Sequence, residues 1–362
     1  MERVTVPIPG RSYDVVIGQG AIADAGDLLP DLGPARHAFV VVDPAVASAW
    51  VGPLAGALES RGLHPVVLSV PSGEAAKTLQ VYGTLVHQLA MQEAHREDVV
   101  VALGGGTTGD LAGFVASTYM RGVRFVQVPT TLTGQVDAAI GGKTAVNLPE
   151  GKNLVGTFYQ PALVLCDPAP LATLLDRDYR SGLAEVAKYG LTLDLELLEG
   201  LERDPSAVLT RDPAALEPLV ARCVAAKART VSEDETDTGQ RLILNYGHTL
   251  GHALERLEAF EGRTHGEAIA IGMVFAARLA EARGLAAAGL VSRTVRLLTS
   301  LGLETDAELP PIRDVLSAFR MDKKFHGGVR FVLLEEVGRP VVVDGVPQEQ
   351  VRAVLHEMGA TG

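Results

Sequence analysis

Two apolar runs, Ala38-Phe-Val-Val-Val42 and Val99-Val-Val-Ala-Leu103, restrict the fold more than any other part of the sequence. A strand with one face in water alternates polar and apolar residues, whereas a run without alternation is expected where both faces are covered, as in a parallel strand between helices. The neighbouring segments fit that picture. Pro53 to Arg61 reads as a helix with proline in its first turn, and His64 to Val70 as a strand. Phe125-Val-Gln-Val128 is a further strand, ending at Pro129-Thr-Thr131. This strand–helix rhythm predicts an α/β half with a parallel sheet over residues 1–167. From about Asp167 the pattern changes. Leu216 to Ser232, Thr249 to Glu258 and Gly266 to Arg283 carry Ala, Leu, Glu and Arg at helical period, so residues 168–362 are expected to be mainly α-helical. Val329 to Leu334 and Pro340 to Val343, with Gly338 between them, predict a late hairpin. With no repeat and no low-complexity linker, the two halves are expected to pack with a cleft between them.

A chain of 362 residues with 47% hydrophobic content has ample material for two or three domain cores. Its longest apolar stretches, such as Val99 to Leu103 and Ala268 to Ala277, fall well short of the roughly 20 residues that span a bilayer. The first residues lack a signal peptide's basic-then-apolar order, so the expectation is the cytoplasm and no membrane partner. A formal charge of -12, without a basic run carrying interleaved aromatics, argues against nucleic acid. Cys166 and Cys223 belong to no CxxC spacing and are expected to be buried, reduced thiols.

Several motifs carry chemistry. Gly104-Gly-Gly-Thr-Thr-Gly109 contains GxGxxG between an apolar strand and Asp110, where a helix can open; this suits a pyrophosphate, and equally a purely structural turn. No acid follows about 20 residues on to hold a ribose, and Asp43 is the substitute, unless it only caps a helix before Pro44. Ser72-Gly-Glu-Ala-Ala-Lys77 and Thr130-Thr131 can contact a nucleotide or cap helices. Two Gly-Lys steps, in Gln135-Val-Asp-Ala-Ala-Ile-Gly-Gly-Lys-Thr144 and Gly151-Lys-Asn153, fit an anion site. Glu185 and Lys188 share one helix face in an apolar stretch, as an intrahelical ion pair would. His248 and His252, four apart, with His265 before Gly266-Glu267 and Glu185 upstream, form a metal-ligand set, though spacing alone leaves open which histidines ligate. Lys227, Arg241 and Lys323-Lys324 add cations to the helical half.

Taken in order, Ser72 to Lys77, Gly104 to Phe114, Tyr119-Met-Arg-Gly122, Gln135 to Asn147, Ser181 to Gly190, Leu244 to His252, His265-Gly-Glu267 and Asp322-Lys-Lys324 resemble the 3-dehydroquinate synthases of the sugar-phosphate cyclase superfamily over nearly the whole chain. The resemblance implies a Rossmann-like dinucleotide-binding domain over 1–167 and a helical metal- and substrate-binding domain over 168–362. It implies Zn2+ or Co2+ on Glu185, His248 and His265, with His252 turned to the substrate's phosphate instead. NAD would lie on Asp43, Ser72, Gly73, Glu74, Lys77, Gly105, Gly106, Thr107, Thr108, Gly109, Asp110, Thr130, Thr131, Lys143, Lys152 and Thr173. Asp137, Lys143, Lys188, Asn245 and His252 would act in catalysis. Lys152, Lys227, Arg241 and Lys323 or Lys324 would bind the phosphorylated sugar acid, with Arg121 reaching the phosphate held by a neighbouring subunit of a homodimer. The implied reaction oxidises the substrate with NAD, eliminates phosphate, reduces the ketone again and closes the ring by an aldol step. Two departures from the family's pattern are Ala138-Ala139 in place of a Ser-Ser pair and Thr133-Gly134 in place of bulkier residues. The rival readings are an aminodehydroquinate synthase, a cyclase for a substrate without a carboxylate, and a metal-dependent polyol dehydrogenase. Lys227, Arg241 and Asn245 together speak for a carboxylate.

Overall fold

The computed structural model describes residues 1–259, 262–320 and 329–362. The chain divides into two compact units, Met1–Leu174 with Arg211–Thr236, and Leu175–Thr210 with Asp237–Gly362. No helix among the described residues is long and apolar enough to cross a membrane.

The first unit contains strands β1 (Glu2–Val6), β2 (Tyr13–Ile17), β3 (His37–Val42), β4 (His64–Ser69), β5 (Val99–Gly104), β6 (Arg124–Pro129), β7 (Lys143–Leu148), β8 (Gly151–Phe158) and β9 (Leu163–Cys166). Seven of them form one sheet in the order β1-β2-β9-β6-β5-β3-β4, antiparallel between β1 and β2 and parallel elsewhere. The absence of alternation in β3 and β5 has a direct cause. Val40, Val42, Val99, Val101 and Leu103 pack on one side with Leu54 and Leu58 of helix Pro44–Ser60. Phe39, Val41, Val100 and Ala102 pack on the other with Leu85 and Leu89 of helix Leu79–Met91 and with Leu111 and Val115 of helix Gly106–Thr118. Each of these valine, leucine and phenylalanine side chains contributes about 1.5–3 kcal/mol by leaving water, so a polar residue on either face would be costly.

Three details differ from the sequence reading. The helix before β4 begins at Pro44, not Pro53, because Pro44 occupies its first turn and the Asp43 carboxylate accepts a hydrogen bond from Ala45 N at 3.0 Å. Pro53 lies inside that helix. The Gly-Lys steps, read only as an anion site, lie on strands: Lys143 opens β7 and Lys152 is the second residue of β8, and these two strands form a separate antiparallel hairpin. Helix Pro213–Glu233 looks in sequence like those that follow it, yet it packs on β1, β2 and the turn Gly134–Ala138 and falls within the first unit. Both cysteines are buried and free, and burial pushes the Cys166 thiol up.

Asp98 ties the start of β5 to the start of β3. Its carboxylate accepts from Arg36 N at 3.1 Å, His37 N at 2.9 Å and His95 N at 2.8 Å. Burial alone would raise its pKa, but these three N–H donors hold it below the usual carboxylate range. A depressed folded-state pKa stabilises the fold above the unfolded value of about 3.9 and is lost as pH falls through the folded value. Asp98→Ala is therefore expected to cost about 3 kcal/mol at neutral pH, with the gap to wild type narrowing below about pH 4. Urea denaturation of both proteins across that range checks it; a gap independent of pH would contradict the assignment.

The second unit is helical, with Asp176–Thr192, Leu195–Arg203, His248–Leu257, His265–Ala282, Leu290–Ser300, Ile312–Arg320 and Gln348–Glu357. It also holds the late hairpin, β10 (Phe331–Glu336) and β11 (Arg339–Val343), with Gly338 at a positive φ of 83° in the turn. Helix His265–Ala282 is apolar almost all round because it is the core of the unit, packed against Asp176–Thr192, His248–Leu257, Leu290–Ser300, Gln348–Glu357 and β10. Its start is fixed by a capping box between Thr264 and Glu267, which makes His265 the first helical residue.

Candidate active site

In the second unit three helices bring one carboxylate and two imidazoles together. Glu185 lies mid-helix in Asp176–Thr192 and is 0% exposed, while His248 and His265 are the first residues of their helices. Glu185 Oε1 is 3.1 Å from His265 Nε2 and 3.4 Å from His248 Nε2, and Lys188 pairs with Glu185 Oε2. The donor atoms of Glu185, His248 and His265 all lie within 4.8 Å of one another. Two imidazoles and a carboxylate suit Zn2+ or Co2+ and leave a coordination position open, so this set fits a divalent metal.

The electrostatics follow from burial and these contacts. Burial alone would raise the Glu185 pKa, but Lys188, His248 and His265 hold it well below the usual range. Burial, aided by Lys188, lowers the His248 pKa. Burial would also lower that of His265, but hydrogen bonds to Glu185 and Glu255 override it and raise it to about 10.

His252 borders the three without belonging to their donor set. Its ring centroid lies 5.2 Å from that of His248, and with Glu255 and His265 it forms a second group of donors within 4.8 Å of one another. The i, i+4 spacing left both histidines open as ligands of one metal; the folded chain puts His248 and His252 in different groups that share His265. Glu255 is a residue the sequence reading missed. Its signal was available, since Glu255 follows His248 by seven residues, two helical turns, and so lies on the same face.

Lys188 and Arg241 are each 1% exposed. Lys188 is the intrahelical partner of Glu185, while Arg241 lies in the turn Gln240–Asn245, where Asn245 Nδ2 donates to Leu242 O at 2.8 Å. Lys323 and Lys324 lie outside the described residues.

In the first unit the chain runs from β3 outward to β4 and then back across to β5 and β6, so the carboxyl ends of β3 and β5 flank the point where strand order reverses. Ligands of open α/β sheets bind at that point. Asp43 and Gly104 meet there: a Cβ on Gly104 would lie 2.6 Å from Thr108 Oγ1 and 3.1 Å from Asp43 Cβ. Gly105 then caps helix Gly106–Thr118 with no side-chain hydrogen bond, leaving the first-turn N–H groups of Gly106, Thr107 and Thr108 to be met by another group. Asp43 caps its own helix and also accepts from Ser72 Oγ at 2.6 Å, so the capping and nucleotide readings of this residue do not exclude each other. These groups fit a dinucleotide.

Around this cradle the remaining residues link up. Lys77 Nζ donates to Asp110 at 2.6 Å and to Asn153, and burial pushes the Asp110 carboxyl above its usual range in spite of Lys77. Glu74 accepts from Asn147 Nδ2 at 2.7 Å and lies 3.9 Å from Lys152 Nζ, so the tip of the β7–β8 hairpin meets the Ser72–Lys77 turn, in which Gly73 has a φ of 66°. Thr130 N donates to Gly104 O at 2.9 Å, and Thr131 Oγ1 accepts from Gly134 N at 3.1 Å. Lys227 Nζ donates to both the carbonyl and the carboxylate of Asp137, each at 2.7 Å. Lys143 is exposed at the start of β7, and Thr173 Oγ1 donates to Pro170 O at 3.3 Å. Arg121 is exposed, and it and Met120 have positive φ values of 66° and 47°.

Comparison with known proteins agrees in kind. The N-terminal 3-dehydroquinate synthase family model matches residues 67–181, and the C-terminal one residues 182–325. The 3-dehydroquinate synthase of Pelobacter propionicus is 44% identical over 348 residues, 95% of this chain and 96% of the relative. A crystal structure of 2-deoxy-scyllo-inosose synthase complexed with carbaglucose-6-phosphate, NAD+ and Co2+ superposes with a TM-score of 0.90 at 29% identity, covering 98% of this chain and 100% of that one. The 2-epi-5-epi-valiolone synthase of Streptomyces hygroscopicus, with NAD+ and Zn2+ bound, gives 0.87 at 30% identity over 96% of each chain.

Proposed function

The chain belongs to the 3-dehydroquinate synthase family, and from that premise we propose that it converts 3-deoxy-D-arabino-heptulosonate 7-phosphate to 3-dehydroquinate and inorganic phosphate. The observation that carries this reading is the Glu185–His248–His265 donor set with buried Lys188 beside it. Those three residues would hold Zn2+ or Co2+, and Asp43, Ser72, Lys77, Gly105 to Asp110 and Thr130 would hold NAD. When bound, the metal would supply Lewis-acid polarisation of a substrate hydroxyl, and NAD a reversible hydride acceptor regenerated in each turnover.

The protein's residues bind and orient. A substrate with a carboxylate and a phosphate needs local cations in a chain of formal charge -12. Lys227 and Arg241 take the carboxylate, and Lys152, Asn245 and His252 the phosphate, joined by Arg121 from the second subunit of a homodimer in the cytoplasm. Asp137, Lys143 and Lys188 lie at the reacting carbons. Asp137 is already held at both its oxygen types by Lys227, which fixes one orientation for it. Elimination needs no dedicated protein base if a phosphate oxygen takes the proton, so the residues' main task is to keep the intermediate in one conformation through ring closure.

Substrate choice separates this reading from its rivals. The metal-loaded protein is offered the heptulosonate phosphate, its amino analogue and glucose 6-phosphate, and phosphate release is followed. The heptulosonate phosphate is expected to be turned over fastest, by at least about 100-fold over glucose 6-phosphate, which has no carboxylate to meet the buried guanidinium. Preference for the amino analogue, or for glucose 6-phosphate, would refute the assignment.

A further inference from the structure

We propose that Glu255 is a positioning residue for the metal set, holding the His265 imidazole with its hydrogen on Nδ1 so that Nε2 faces Glu185 and His248. This rests on the reading that Glu185, His248 and His265 bind a divalent metal. Glu255 is 7% exposed, on the second turn of helix His248–Leu257, and its Oε2 lies 3.2 Å from His265 Nδ1. The opposite nitrogen, Nε2, lies 3.1 Å from Glu185 Oε1. The capping box at Thr264 and Glu267 fixes the backbone of His265 but not the rotation of its ring. A neutral imidazole has one N–H, and the group that accepts it decides which nitrogen keeps a lone pair. A carboxylate oxygen behind Nδ1 as acceptor settles that choice for His265, and also makes Nε2 a stronger donor. His248 has a backbone acceptor in the same place, since its Nδ1 lies 3.1 Å from Tyr246 O. The two histidines are thus supported differently, one by a charge and one by a neutral carbonyl. A buried carboxylate in a helix is expensive, and contact with His265 gives this one a use.

The competing role is that of a ligand, because Glu255, His252 and His265 also bring donor atoms within 4.8 Å of one another. The full-length protein, Glu255→Gln, Glu255→Asp and His265→Ala are titrated with Zn2+ against a chromophoric chelator, and the visible spectrum of each Co2+ form is recorded. Glu255→Gln keeps the shape but loses the charge, and is expected to bind one Zn2+ per chain about 10- to 100-fold more weakly, with altered Co2+ bands and an unchanged metal-free circular dichroism spectrum. Glu255→Asp should recover part of the affinity. Wild-type affinity in Glu255→Gln, with Zn2+ lost from His265→Ala, would overturn this inference alone; Zn2+ retained in His265→Ala would overturn the metal site itself. Two Zn2+ per wild-type chain, falling to one in Glu255→Gln, would make Glu255 a ligand and also overturn it. Should the Glu255 variants not fold, nitrogen NMR of the wild-type Zn2+ form with labelled histidine decides. His265 Nδ1 protonated is the expected result, and Nδ1 bound to metal the contrary one.

Discussion

Replacing His265 with alanine is expected to reduce bound metal from about one equivalent per chain to nearly none, and turnover by roughly a thousandfold or more. Three donors from three helices form the set, and removing one leaves Glu185 and His248 as a two-ligand site beside the positive charge of Lys188. Two ligands next to a cation do not hold a divalent ion against water. The helix should survive, because its start depends on the Thr264–Glu267 capping box and not on the imidazole. Metal analysis after dialysis, alongside circular dichroism, checks both parts. The metal-free wild type adds a pH test. Burial opposes protonation of His265, but Glu185 and Glu255 override it and raise its pKa to about 10, so at neutral pH a metal must displace a proton from this ring. Apparent Zn2+ affinity should therefore rise by about tenfold per pH unit from pH 7 towards 10. Metal content unchanged in His265→Ala would refute the ligand assignment.

Gly272→Ala is expected to destabilise the second unit by about 3 kcal/mol or more. Helices His248–Leu257 and His265–Ala282 touch here through backbone alone. A Cβ on Gly272 would overlap the Gly247 carbonyl oxygen, and would lie 2.8 Å from Gly247 C and 3.1 Å from Gly251 N. No flexible side chain is present to give way, so the helices must separate. Gly247 immediately precedes His248, and the separation is expected to carry that imidazole away from Glu185 and weaken metal binding as well as the fold. Gly251→Ala is the comparison. Its Cβ would lie 3.0 Å from Ile269 Cγ2, a side-chain atom, and 3.2 Å from Ile269 backbone, and it should cost less. Thermal and denaturant unfolding of both variants, metal-free and with Zn2+, measures the difference. Equal stabilities would contradict the close packing.

What could be read from the sequence depended on whether local pattern or distant contact decided the feature. The strands β3 and β5 were legible because burial on both faces leaves no polar position to confuse the reading. The start of the helix at Pro44 was missed because Pro53 offered the same first-turn signal, and only the Asp43 cap distinguishes them. The β7–β8 hairpin was hidden by its glycines, lysines and asparagines, poor strand formers in which only an anion site could be read. Helix Pro213–Glu233 gave no sign that it packs on β1 and β2, since its apolar face looks like any other helical face. The metal candidates were visible as residue types. Spacing left His248 and His252 equivalent, and only the position of Glu185 on another helix separates them. Glu255 was passed over because a glutamate in a Leu-Glu-Arg stretch is usually solvated, whereas here it is buried against His265.

If this chain is the proposed cyclase, the substrate's hydride is taken up by NAD and given back within one turnover while phosphate is eliminated. The most direct test is a single assay of the metal-loaded protein with the heptulosonate phosphate and NAD far below the substrate concentration, following phosphate, 3-dehydroquinate and NADH together. Equal amounts of phosphate and 3-dehydroquinate, many turnovers for each NAD, and no lasting NADH are the expected result. No phosphate release, or NADH accumulating one for one with substrate consumed, would contradict it.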